Sequence, residues 1–117
     1  MRQFRLVSIL TALMLLASSI YGHAILLSAN PTKDASVQGT DVQINLRFNS
    51  RVDAKRSRMT LVVPEGNPRP LSIDDQSPPD SLKSEVHGLK SGAYTLQWQV
   101  LAVDGHISRG EIPFKVQ

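Results

Sequence analysis

One residue near the start of the chain, His23, and two close together far downstream, Asp104 and His106, have the chemistry to close on one metal ion. His23 follows a stretch that reads as a secretory leader. Arg2 and Arg5 supply a positive start, Leu6–Ala17 is an apolar run, and Ser18–Gly22 ends in small or neutral residues. Cleavage after Gly22 would leave His23 with a free α-amine, and that nitrogen and imidazole Nδ1 can close one chelate ring. Downstream, Asp104-Gly105-His106 sets a carboxylate and a second imidazole two residues apart. Gly105 permits a tight turn, and positions i and i+2 of an extended chain project to the same side. Three nitrogens and a carboxylate oxygen, with water completing the set, suit one Cu(II) ion better than Mg(II) or Ca(II). Amine and imidazole must be unprotonated to bind, so such a site weakens as pH falls. Asp-Gly is also an ordinary turn, and either histidine alone would be unremarkable. The specificity lies in the combination.

Two cleavage positions satisfy the small-residue rule. A cut after Gly22 places Ile20 at −3, whereas a cut after Ala24 places Gly22 there and discards the histidine. The Asp104/His106 pair favours the first. The apolar run is too short for a permanent anchor, which needs about 20 residues. The expected division is therefore a leader over 1–22 and one domain over 23–117.

Removing the leader takes Arg2 and Arg5 with it, leaving eleven basic and ten acidic residues and a net charge of +1. A basic-patch argument for nucleic acid loses its ground. The local cluster Arg51, Lys55, Arg56 and Arg58 reads as a solvated loop and strand edge. The chain has no cysteine, which excludes disulfides, thiolate metal sites and a Cys nucleophile.

The elements that must position the three residues are strands. Val42, Ile44, Leu46 and Phe48 alternate with polar residues, and so do Tyr94, Leu96, Trp98, Val100 and Ala102, the longest such run. Shorter candidates are Ala24–Ser28, Met59–Val63, Pro70–Ile73, Leu82–Val86 and Ile112–Val116, separated by proline- and glycine-bearing turns. About seven short strands with this turn spacing predict an all-β, antiparallel immunoglobulin-like sandwich. Trp98 belongs in its core, and the polar, proline-bearing segment Asp74–Asp80 is the expected mobile loop. His87 sits just before a turn, where exposure is usual; with Glu85 it is a candidate second, weaker metal site.

Several segments resemble the CopC family of periplasmic copper-binding proteins: His23-Ala24 with Leu27-Ser28-Ala29-Asn30-Pro31, the strand Val42–Asn49, and above all Gly92–Val116. The last is similar to that family's long strand, its D-G-H metal turn and its closing strand. The resemblance implies a Greek-key β-sandwich and a Cu(II) site built from an N-terminal His23, Asp104 and His106. It further implies a periplasmic location in a Gram-negative envelope, and a separate inner-membrane copper transporter as a partner. Two departures stand out. Some members carry a methionine-rich Cu(I) loop, whereas only Met59 remains here once the leader is removed, and it reads as core filling. Where relatives often have an acid after the second strand, this chain has Phe48-Asn49-Ser50-Arg51.

The leading expectation is a monomeric carrier, not an enzyme, that binds Cu(II) and buffers or delivers it. A small copper redox enzyme with an N-terminal histidine brace ranks lower. Such enzymes need an open coordination position and a broad, aromatic substrate face, whereas aromatic residues are few here and Asp104 would fill coordination space. A metal-free interaction module is the third reading, since a sandwich does not fix function. The first reading makes binding depend on processing. A precursor in which the His23 nitrogen is an amide is expected to bind Cu(II) far more weakly than the processed chain in a competition titration.

Overall fold

Alternation of apolar and polar residues governs which segments extend and which face each buries. In a computed structural model that describes residues 24–117, eight strands form two sheets. Strands β1 (Leu26–Asn30), β3 (Val42–Phe48) and β6 (Ser81–Val86) make a three-stranded antiparallel sheet in the order β1-β3-β6. The second sheet has the order β2-β8-β7-β4-β5. It contains β2 (Ser36–Val37), β4 (Arg58–Val62), β5 (Arg69–Leu71), β7 (Gly92–Leu101) and β8 (Ile107–Val116). The expected all-β sandwich is the observed fold. The expected leader and His23 lie outside the described residues.

The inward faces interdigitate as the alternation dictates. Val42, Ile44, Leu46 and Phe48 of β3 meet Leu96, Trp98 and Val100 of β7 and Ile112, Phe114 and Val116 of β8 in one buried cluster. Met59 and Leu61 of β4 complete it, so Met59 fills core space as its isolation in the sequence suggested. Tyr94 stacks on Phe114 with centroids 5.7 Å apart, and its hydroxyl donates to the Lys90 carbonyl at 2.7 Å. An aromatic ring is buried there without stranding its polar end.

The structure corrects the sequence reading in two places. The last strand begins at Ile107 rather than Ile112, because Ile107–Glu111 pairs along its whole length with Gln97–Leu101. Its polar start hid it, since the outer face of the sheet is solvated and buried apolar residues begin only at Ile112. An eighth strand, β2, is a two-residue parallel edge on β8, too short to leave a period. Segment 74–80 is internally tied. Asp74 accepts from the Gln76 amide at 2.9 Å, and Ser77 Oγ accepts from the Lys83 amide at 3.1 Å.

Trp98 occupies a volume that only glycine leaves open. It pairs across the hairpin with Gly110, and a Cβ there would overlap indole carbons Cζ2 and Cε2, the latter at 2.6 Å. Phe48 meets the indole edge-on with centroids 5.3 Å apart, so the ring cannot retreat toward the first sheet. Gly110→Ala is therefore expected to overpack the core and cost about 1–3 kcal/mol. Urea denaturation followed by Trp98 fluorescence measures this as a lowered midpoint.

Candidate metal centre

The long β7–β8 hairpin carries Asp104 and His106 at its tip. Its last strand pair is Leu101 with Ile107, and the Ala102 amide then donates to the His106 carbonyl at 2.9 Å. Within this closure the Gly105 amide donates to the Ala102 carbonyl at 2.9 Å, and Gly105 takes a φ of 90°, which glycine tolerates best. Asp104 completes the turn, its Oδ1 accepting the His106 amide at 3.0 Å. The two side chains converge through this turn rather than by same-side projection along an extended strand. Asp104 Oδ2 lies 3.0 Å from His106 Nδ1.

That separation has chemical meaning. Two ligands at right angles on one ion, each about 2 Å from it, stand close to 3 Å apart. The two groups are close enough to share one ion, and the contact itself is a hydrogen bond between imidazole and carboxylate. Both side chains are partly exposed, so an ion can reach them from solvent.

The hairpin tip is braced from below by residues 49–57. Val52 bridges to Ala102, the Val103 amide donates to the Arg51 carbonyl at 3.4 Å, and the Asp53 amide donates to the Leu101 carbonyl at 2.8 Å. Ser57 Oγ accepts from the Leu101 amide at 3.1 Å while donating to the Asp53 carbonyl at 2.6 Å. Asp53 caps the short 3-10 turn Ala54–Arg56, accepting from the Lys55 and Arg56 amides.

The same segment fixes the start of the described chain. Asn49 Oδ1 accepts from the Ile25 amide at 2.8 Å, and the Asn49 amide donates to the Ile25 carbonyl at 2.9 Å. Ala24 is buried in the core. The backbone that continues to His23 is therefore pinned at the same end of the sandwich as the Asp104–His106 turn. Asn49 is a positioning residue that motif reading did not single out. Only its place just beyond the alternating run of β3 set it apart, and nothing local in the sequence links it to residue 25.

His87 stands apart from this end. It follows β6, whose Val86 pairs with Val42 at the far end of β3. The length of β3, roughly 20 Å, separates it from the hairpin tip. Its Nδ1 lies 3.2 Å from Asp41 Oδ1, and its Nε2 lies 3.8 Å from Glu85 Oε1, with all three side chains well exposed. Among the described residues no group of three His, Cys, Asp or Glu side chains is arranged to hold a metal ion. The sequence-derived set thus divides: Asp104 and His106 are brought together, and His23 lies outside the described residues.

Known proteins share this architecture. The CopC domain family matches residues 26–117. Protein YobA of Escherichia coli K12 is 28% identical over 106 residues, covering 88% of this chain and 86% of that protein. The crystal structure of CopC from Methylosinus trichosporium OB3b superposes with a TM-score of 0.72 at 26% identity, over 81% of this chain and 94% of that one. PcoC, a methionine-rich copper resistance protein from Escherichia coli, shares the fold with a TM-score of 0.65 at 24% identity, over 81% and 99%. A family match over nearly all of the described residues, on a sandwich that carries its D-G-H turn at the hairpin tip, places this chain in the CopC family.

Proposed function

We propose that this protein is a copper-resistance carrier that binds one Cu(II) ion outside the cytoplasm and buffers it or hands it on. The observation that carries the reading is the Asp104–His106 turn, two ligand types at neighbouring-ligand spacing beside the pinned start of the chain. After cleavage behind Gly22, the His23 amine and imidazole complete the set with Asp104 and His106. Nitrogen and carboxylate donors favour Cu(II), and the single methionine of the domain, Met59, is buried in the core, so no exposed thioether is present to favour Cu(I). The membership of a family with copper resistance proteins among its members supports the same reading.

The mechanism is ligand exchange. Copper held beside a chain terminus and an exposed turn can surrender the amine or the carboxylate to a partner's ligands one at a time. A one-electron reductant from outside the protein would open a second exit, because the resulting Cu(I) mismatches these donors. Protons compete for the amine and both imidazoles, so copper is held less tightly as pH falls. A separate inner-membrane copper transporter fits as the recipient in a periplasm.

A Cu(II) competition titration of single variants tests the site. His106→Ala removes a nitrogen ligand and is expected to lower affinity roughly a hundredfold, whereas Asp104→Asn keeps a weaker neutral oxygen and costs roughly tenfold. His87→Ala, at the far end of the sandwich, leaves the affinity unchanged. A larger loss from His87→Ala than from His106→Ala would relocate the site.

Asn49→Ala tests the anchoring of the terminus. It removes one of two hydrogen bonds to Ile25, a contribution of about 1 kcal/mol. Faster amide exchange at Ile25 and a weaker Cu(II) titration are expected together; slower copper binding with Ile25 exchange unchanged would detach the terminus from the site.

A further inference from the structure

The large apolar side chains that stand more than half exposed among the described residues are Ile25, Leu27, Val103 and Ile107. All four lie on the two segments leading into the candidate centre. A single exposed aliphatic residue is ordinary, but their confinement to one end of the molecule is not. Ile107 is the most informative, because the sheet fixes its neighbours. It pairs with Leu101, and its face is the solvent side of the second sheet. One step along that face, Arg109 pairs with Gln99 and Gln99 pairs with Arg58.

An apolar pair, Leu101 and Ile107, is therefore flanked on one side by the Asp104–His106 turn and on the other by two arginines. The guanidinium-bearing strands are separated by β7 alone, so their axes stand about 10 Å apart. Arg109 Nε donates to Gln99 Oε1 at 2.7 Å, which holds the side chain across the sheet. Neither arginine pairs with an acid among the described residues. Glu111, the acid on this face, lies a further step away and accepts from Gln97 Nε2 at 3.1 Å. The row borders a shallow groove of about 360 Å³. On the other flank, Val103 is 69% exposed and the exposed Arg51 adjoins it through the backbone.

We infer that this face docks a segment of another protein that presents an aliphatic side chain next to carboxylates, bringing that partner's ligands to the Asp104–His106 turn. The apolar pair receives the aliphatic group, and Arg58 and Arg109 bind the carboxylates, which guanidinium matches in planar geometry. The patch is narrow, bounded by charge on one side and by a turn on the other. That shape suits a peptide segment, whereas a lipid surface calls for a broader apolar face. Only the identity of the exchanged ion rests on the copper reading above; the docking does not.

The experiment uses nitrogen-labelled protein and two synthetic peptides of equal length, one alternating Glu and Leu, the other Lys and Leu. Amide shifts confined to Arg58, Gln99, Leu101, Ile107 and Arg109 are expected with the glutamate peptide alone. Arg58→Glu combined with Arg109→Glu should weaken that binding at least about tenfold while Cu(II) affinity stays unchanged. Equal binding of the lysine peptide, or shifts mapping elsewhere, would overturn the proposal. Shifts of these same amides on anionic vesicles without a response to the glutamate peptide would assign the face to a membrane and also overturn it. Concentration-dependent dimerisation through Ile107, abolished by the same double variant, would give it to a second copy instead. Peptide binding retained in a protein that fails to bind Cu(II) would sink the copper reading and leave the docking face standing.

Discussion

Ten consecutive cross-strand pairs between β7 and β8 carry the functional end of this molecule. The hairpin runs the length of the second sheet, and its inner residues form the centre of the core. Any ligand at its tip inherits the rigidity of the whole ladder. A five-residue tip alone would be a mobile loop. Braced by Val52, Asp53 and Ser57, it becomes a turn held by the sheet, with its carboxylate and imidazole in contact.

That rigidity is made possible by a packing exchange one layer below the tip. Trp98 is the largest side chain of the core, and the ladder places Gly110 opposite it. The missing Cβ on one strand is filled by the indole of the other, with Phe48 closing the third side. A close-packed interior transmits such a constraint, because no side chain in it can shift without displacing a neighbour. The sheets are thereby locked together nearest the end where Ile25 and the hairpin tip are held.

The consequence is that the fold alone brings Asp104 and His106 together. With no disulfide and no thiolate cluster, folding free energy comes from apolar burial, and metal binding has no structural task to perform. The exposed aliphatic residues beside the turn fit the same logic, since exchange between proteins needs a surface that brings two ligand sets together.

Much of this was legible in the residues themselves. The alternation in Val42–Phe48 and Tyr94–Leu101 determined two strands and their buried faces, because a side-chain period of two leaves no other way to hide the apolar set. The Asp-Gly-His order determined a turn with two ligand types, and the absence of cysteine determined that the core must hold alone. What the local pattern could not carry was decided by tertiary contacts. Ile107–Glu111 became strand because a long partner was available to pair with it, not because its own side chains demanded it. Asn49 came to hold Ile25, and His87 came to stand a strand's length from His106, because sheet register sets such distances. Register follows from how the two apolar faces fit together, and that fit is a property of the packed pair, present in neither segment alone.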